Sequence, residues 1–359
     1  MNTHVLMVID SLRVGGAERI VLTLAELFVQ KDIYVDIIGI YDYVEYTIPE
    51  GVTIHNIGFK KRVFQNILYS QSLKKKIAEL EVSQGKEYDL ILVHLLKAAR
   101  LMQNFKHKNL YYVLHSTMSQ ESLAGLDGAK RKRKLKRLKK KFEDKNIITV
   151  SQGISIDLLK TVKIKPSTLQ VIYNPIDVDS IIAQSKAGNL YVNEKPYIVH
   201  LGRLVQVKRH DRLLAAFKRS DIDAKLILIG EGEYRKSIEE KVLLLGLEER
   251  VIFAGMQINP YPIIADARLL VLSSDYEGLS MAILEALALD VPVVSTDCPS
   301  GPREILEGYL DNALVPLGET KTLAKMIKKQ YTEPSRIFSD VLNRFEGQHI
   351  IEQYINLIK

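Results

Sequence analysis

Two carboxylates eight residues apart, Glu277 and Glu285, flank the start of an apolar segment in SSDYEGLSMAILEALALDVPVV, residues 273–294. Ser273–Gly278 has the composition of a turn. Leu279–Leu289 has helical length and is apolar nearly all round, which marks a buried helix. A carboxylate inside such a helix is costly to desolvate unless it meets a partner or lines a cleft. Gly278 lets the backbone approach a ligand closely. The free N–H groups of a first helical turn make an anion site. Glu277, Gly278, Leu279, Ser280 and Glu285 therefore suit a pocket for a phosphate-bearing, hydroxyl-rich ligand. They equally suit an ordinary core helix with a capping Glu277 and a satisfied Glu285.

Other loops carry compatible chemistry. His200-Leu201-Gly202-Arg203-Leu204 is followed by Lys208. A guanidinium fork and an ammonium point charge after a glycine suit a diphosphate; solvated surface charge is the plainer alternative. Gly230-Glu231-Gly232-Glu233 and Phe253–Gly255 each close a strand-like run. In Thr296–Glu304 a Ser-Gly-Pro turn feeds a short helix, and Cys298 has no evident base or metal partner, which makes it structural. Near the N-terminus, Arg13-Val14-Gly15-Gly16-Ala17-Glu18-Arg19 puts paired glycines between a strand and a helix, where backbone N–H groups can approach an anion. The third glycine of a dinucleotide fingerprint is missing, and a tight turn is the alternative reading. His115, in Leu114-His115-Ser116-Thr117, ends a strand-like run and titrates near neutrality; a hydrogen-bonded core histidine would look the same. His, Cys and acidic residues show no compact metal-ligand spacing.

The elements that must position these loops alternate along the chain. Strand-like runs at Val5–Ile9, Tyr34–Ile40, Val52–Ile57, Leu90–Val93, Leu110–Leu114, Ile147–Val150 and Leu169–Ile172 are separated by helical segments such as Ala17–Gln30 and Gln71–Glu81. After the turn Tyr173–Asp177, residues 183–195 are polar and aperiodic, which suggests a linker. The alternation restarts with Tyr197–Leu201, Leu226–Ile229, Val251–Phe253, Leu269–Leu272 and Val291–Ser295. Such alternation predicts parallel α/β sheets. Two similar halves predict two doubly wound, Rossmann-like domains facing across a deep cleft, with ligands at the carboxyl ends of the strands. The expected division is 1–180 and 195–340. The remaining 341–359 include a helix with Ile350, Ile351, Tyr354, Ile355 and Ile358 on one face.

The 359 residues are 47% hydrophobic and 26% charged, ordinary for a globular protein of about two domains. A lone cysteine excludes an internal disulfide framework and fits a reducing compartment. The first residues lack the basic flank and apolar length of a secretory signal, and no run has the length of a membrane span. The net charge of +7 is concentrated: residues 130–145 hold eleven Lys/Arg against two acids.

The ordered set Gly15-Gly16-Ala17-Glu18-Arg19, Asn174-Pro175-Ile176-Asp177, Gly202-Arg203-Leu204 with Lys208, Gly230-Glu231-Gly232, and Glu277-Gly278-Leu279-Ser280 through Glu285 resembles the retaining glycosyltransferases of family four (group 1), with GT-B fold. The likeness runs essentially the full length. It implies a nucleotide-sugar donor held mostly by the second domain. Arg203 and Lys208 would clamp the diphosphate, Glu285 the ribose hydroxyls, and Glu277 with Gly278–Ser280 the donor sugar and phosphate. Gly15 and Gly16 would close on the phosphate, His115 would meet the sugar near the reacting carbon, and Gly230, Glu231 and Phe253 would frame the base. The implied catalytic group is His115, Arg203, Lys208 and Glu277. The implied reaction retains anomeric configuration at the front face without metal or cofactor, the leaving diphosphate taking the acceptor's proton. The C-terminal helix of such proteins often crosses back to the first domain. The 300–304 loop resembles users of UDP-hexoses or UDP-N-acetylhexosamines. The product would be a surface polysaccharide, lipopolysaccharide or lipid-linked oligosaccharide. A sugar-nucleotide epimerase on the same architecture, or a non-catalytic nucleotide-sugar or polyanion binder, are the alternatives.

The basic segment reads as a helix over 129–145 with Leu135, Leu138 and Phe142, preceded by Leu126, as a narrow apolar stripe. Ten cations among Lys130–Lys141 repel one another and call for a polyanion. An anionic membrane surface or the phosphates of a glycolipid acceptor fit; nucleic acid fits less well, because no aromatic residues interleave for stacking. A peripheral protein at the inner face of the cell membrane is expected.

Overall fold

The computed structural model describes residues 3–13, 15–59, 66–308, 311–337 and 339–358. Val14, part of the glycine-loop reading, lies outside them. The chain forms two compact units, Met1–Pro175 with Gly347–Lys359, and Ile176–Glu346.

The first unit is built on a seven-stranded, all-parallel sheet: β1 (His4–Ile9), β2 (Tyr34–Gly39), β3 (Val52–Asn56), β4 (Leu90–His94), β5 (Leu110–Leu114), β6 (Asn146–Thr149) and β7 (Thr168–Val171), ordered β3-β2-β1-β4-β5-β6-β7. β4 and β5 are buried end to end, as are all but the first residue of β1. That burial on both faces explains their continuous apolar runs. In register, Val8 lies between Ile38 and Val93, and His94 pairs with Val113. The Gly16–Val29 helix buries Ile20, Val21, Leu24, Leu27 and Phe28, one face of a 3.6-residue period. Against it lies the Gly347–Ile355 helix. Phe28 and Tyr354 meet edge to face at 6.2 Å, and Lys31 pairs with Glu352 at 2.7 Å.

The second unit is built on six parallel strands: β8 (Tyr197–Leu201), β9 (Lys225–Ile229), β10 (Val251–Gly255), β11 (Leu270–Leu272), β12 (Val293–Thr296) and β13 (Leu314–Val315), ordered β10-β9-β8-β11-β12-β13. The two-residue β13 carries too little pattern to be read from sequence. The central face packs Ile198, Leu226, Leu228, Val271 and Val294 against Leu213, Phe217, Leu323 and Ile327.

The unit boundary falls at Pro175/Ile176, earlier than expected, and 183–195 is no linker between the units. Val178–Ser185 is a helix whose Ile181 is buried, and it packs on the Tyr261–Ala265 and Met281–Ala288 helices. One apolar contact face suffices to dock so short a helix, and its polar remainder hid it. The basic helix spans Gly128–Phe142, so Leu126 lies before it. Only Leu138 and Phe142 of its stripe are buried, Phe142 edge-on to Tyr112 at 5.8 Å.

Candidate functional site

In the second unit the chemistry gathers where strands end. β8 runs into Gly202-Arg203-Leu204, and β9 into Gly230-Glu231-Gly232. These two loops hydrogen-bond backbone to backbone: Gly202 N to Ile229 O at 3.0 Å, Leu204 N to Glu231 O at 2.9 Å and Tyr234 N to Leu204 O at 2.9 Å. A Cβ at Gly230 would sit 2.2 Å from Gly202 O, and one at Gly232 would sit 2.3 Å from Leu204 O. Gly230 also has φ +138°. Glycine is thus required at both positions by loop-on-loop contact, independent of any ligand.

Lys208 closes a short helical turn, Gln206–Lys208, and reaches Glu277. Its Nζ lies 2.7 Å from Oε1 and 2.9 Å from Oε2. Ser274 Oγ donates to the same Oε1 at 2.6 Å. The Glu277 and Lys208 side chains are only 10% and 18% exposed, which strengthens the pairing relative to a surface ion pair. Arg203 is exposed, and its guanidinium has no partner among the described residues.

The Glu277–Ser280 backbone is held from behind by the Thr296–Glu304 loop, a contact that the sequence does not show. Ser300 Oγ donates to Glu277 O at 2.5 Å and Gly278 O at 3.0 Å. Gly301, at φ +89°, comes so close that a Cβ would lie 3.0 Å from Gly278 O and 3.1 Å from Ser280 N. Thr296 Oγ1 donates to Ser274 O at 2.6 Å. Asp275 is tied to Arg209 at 3.0 Å and Arg212 at 2.7 Å. Among the described residues, the N–H groups of Gly278, Leu279 and Ser280 donate no hydrogen bond. They stand at the start of the Met281–Ala288 helix, whose dipole favours an anion there. Glu285, buried on that helix, accepts from Tyr261 Oη at 3.4 Å. Burial pushes the Cys298 thiol up, away from nucleophilic use.

At the end of β9, Glu231 pairs with Arg235, whose Nε also bonds Glu239 at 2.9 Å. The same guanidinium lies 5.2 Å from the centre of the half-buried Phe253 ring.

In the first unit, Gly15 caps the Gly16–Val29 helix in an extended conformation. Its N–H donates to Tyr46 Oη at 3.0 Å, and the Tyr46 hydroxyl donates back to Gly15 O at 3.0 Å. A Cβ at Gly16 would meet nothing within 4 Å. His115 follows β5 and hydrogen-bonds His94, the last residue of β4: His94 Nδ1 and His115 Nε2 are 2.9 Å apart. Burial pulls His115 down to about 4, and burial with the neighbouring imidazole pulls His94 well below the usual range. Asp10, at the end of β1, accepts from Ala98 N at 2.7 Å and Lys97 N at 3.3 Å, and burial raises its carboxyl. Lys141, the last cation of the basic helix, turns inward. Its Nζ donates to Leu96 O at 3.1 Å, and burial lowers it to about 8. Arg131 donates to Leu123 O at 3.2 Å. Lys130, Lys132, Arg133, Lys136, Arg137 and Lys140 remain exposed, without ion pairs among the described residues.

Two family models match consecutive parts of the chain: Glycosyltransferase Family 4 over residues 14–180 and Glycosyl transferases group 1 over residues 182–343. Across 83% of the chain and 81% of the relative, it is 29% identical to the N-acetylgalactosamine-N,N'-diacetylbacillosaminyl-diphospho-undecaprenol 4-alpha-N-acetylgalactosaminyltransferase of Campylobacter jejuni. It is also 29% identical to the lipopolysaccharide 1,6-galactosyltransferase of Salmonella typhimurium, over 46% of the chain and 47% of that protein. The solved structure of Anabaena HepE in complex with UDP and glucose shares the fold, with a TM-score of 0.76 and 21% identity over 99% of both chains. With the two models spanning nearly the whole chain and two Rossmann-like parallel-sheet units beneath them, the protein belongs to the group 1 glycosyltransferases of GT-B fold, transferases of the bacterial polysaccharide and lipopolysaccharide type.

Proposed function

We propose that the enzyme moves a hexose or N-acetylhexosamine from a UDP-sugar to a lipid-linked, lipopolysaccharide or polysaccharide acceptor at the membrane surface, with retention at the anomeric carbon. The observation that carries this reading is the Lys208–Glu277 pair beside three unbonded N–H groups at a helix start. Cation, carboxylate and amides together suit a sugar joined to a diphosphate. Arg203 and Lys208 take the diphosphate, the amides of Gly278–Ser280 add neutral donors, and Glu277 binds hydroxyls of the transferred sugar. Glu285 takes the ribose; Gly230, Glu231 and Phe253 border the base. Gly15 and Gly16 approach the phosphates and His115 the sugar.

In the reaction the bond from the anomeric carbon to the diphosphate oxygen breaks, and the acceptor oxygen bonds to the same face. The acceptor's proton passes to the leaving diphosphate. Charge growing on that diphosphate is met by Arg203 and Lys208. These two cations replace a divalent metal, so transfer should survive chelation. The acceptor class follows the names of the relatives, which act on a diphospho-undecaprenol and on lipopolysaccharide. No described helix is long and apolar enough to cross a membrane. The exposed cations of the Gly128–Phe142 helix supply surface attachment, each worth ~1 kcal/mol near an anionic leaflet.

Calorimetry with UDP, GDP and ADP tests the donor site. Micromolar binding of UDP alone, lost in Lys208→Ala at unchanged melting temperature, is expected; absence of binding by any nucleotide would remove the proposal. For the helix, replacing Lys132, Arg133, Lys136 and Arg137 by Gln should abolish sedimentation with phosphatidylglycerol vesicles. Undiminished sedimentation would refute the membrane role.

A further inference from the structure

We propose that His94 is a positioning residue: its Nδ1–H donates to His115 Nε2, fixes the proton of His115 on Nδ1, and so presents His115 to the sugar as a hydrogen-bond donor. The inference rests on the reading that His115 meets the donor sugar.

The two rings lie nearly parallel, 30° apart with centroids 5.3 Å apart, and share one nitrogen-to-nitrogen contact of 2.9 Å. A neutral imidazole carries one N–H and one bare nitrogen. Both rings are neutral at physiological pH, since burial holds each below its ordinary range. Only two proton arrangements then make the bond. If His115 Nε2 donates, the proton of His94 sits on Nε2. That nitrogen is buried without a partner, so the N–H would be orphaned, a rarity in folded proteins. If His94 Nδ1 donates, its Nε2 is a bare lone pair instead.

The molecule contains an unambiguous precedent. His200 Nδ1 lies 2.8 Å from the Val271 carbonyl, which can only accept, so His200 must carry its proton on Nδ1. Its Nε2 is likewise buried and unpartnered. A buried, bare Nε2 is therefore a state this protein already holds. The same assignment for His94 puts the acceptor at His115 Nε2 and leaves the proton of His115 on Nδ1. That atom has no partner among the described residues and is not among the sealed, unpartnered atoms. It is free to donate to an oxygen of a ligand, and it has no lone pair with which to take a proton.

The end of β4 is built to keep His94 still. Leu95 has φ +66°, strained for a branched side chain. The turn after it is clamped by Asp10 on the Lys97 and Ala98 N–H groups and by Lys141 on Leu96 O. Strain held by several independent bonds is a mark of a preorganised site.

The test uses the full chain with 15N-labelled histidine. Long-range proton–nitrogen correlation should show His115 protonated on Nδ1. His94→Asn, whose amide nitrogen can stand where Nδ1 stood, should keep that tautomer and recover kcat to within about threefold. His94→Leu should release the tautomer and lower kcat about tenfold, the factor of one hydrogen bond, with a smaller change in donor KM. His115 protonated on Nε2 in the parent enzyme overturns the proposal, whatever the variants do. Equal loss of kcat in Asn and Leu variants of equal melting temperature overturns it too. Full activity of His115→Ala with the Nδ1 tautomer observed would instead overturn the sugar contact, and with it the role of His94.

Discussion

Each unit holds a pair of close histidines, one on a strand and one just outside its sheet, and the two pairs differ in what their nitrogens meet. In the second unit His200 spends its proton on the Val271 carbonyl, and His210 stands edge-on, ring centres 4.7 Å apart. Both Nε2 atoms are sealed without partners. Burial holds His200 at about 4, and burial with the fields of His200 and Lys208 holds His210 at about 2. In the first unit His94 and His115 bond each other, and His115 keeps a nitrogen outside the sealed interior. In the second unit the bond runs to the backbone; in the first it runs between the two rings, so that there one ring sets the proton position of the other.

The glycines divide the same way. Gly230 and Gly232 of the second unit abut backbone oxygens, whereas Gly16 of the first faces open space. The largest expected effect follows from this. Gly232→Ala must move the Leu204 carbonyl and should destabilise the protein by ~3 kcal/mol, seen as a lower melting temperature. Gly16→Ala should leave the melting temperature unchanged or slightly raised yet reduce kcat/KM for the UDP-sugar. Unaltered transfer by Gly16→Ala would end the phosphate reading of that glycine.

The histidine pairs give the next effect. His200→Leu removes a buried hydrogen bond and should cost about 2 kcal/mol of stability with kcat intact in the folded fraction. His115→Leu should lower kcat with less loss of stability. A reversal of the two outcomes would exchange the roles of the pairs.

Acid should separate them least. An unfolded histidine takes a proton near 6.5, whereas His200 does so only at about 4. Between those values the unfolded state binds more protons, so stability is complete above ~6.5 and falls as pH drops. In that window His200→Leu should reduce the slope of unfolding free energy against pH by up to ~1.4 kcal/mol per pH unit. An unchanged slope would mean that His200 is protonated in the fold.

Much of the fold is legible in local pattern, because strands buried on both faces must be apolar throughout and the helices between them must be amphipathic. Val5–Ile9, Leu110–Leu114 and Tyr197–Leu201 are of that kind. Glu277 and Lys208 were legible as candidates through the ordered set of motifs they belong to, while each alone also suited a core helix or solvated surface charge. Ile181 was not, because its burial depends on helices about 80 to 100 residues further along. Ser300 and Gly301 were legible as a turn and as part of a donor-type resemblance; their hold on the Glu277–Ser280 backbone was not, because it comes from the neighbouring loops at the ends of β11 and β12.

By itself, then, the chain's order of residues determined two parallel α/β halves, a family and the charged groups of a candidate site, because periodicity and motif spacing are local properties. Tertiary structure alone decided which carboxylate meets which cation and which glycines are filled. It also decided which of the four histidines bond each other and which bonds the backbone. Those outcomes depend on which strands lie side by side, and β4 against β5, or β8 against β11, is a pairing between distant segments.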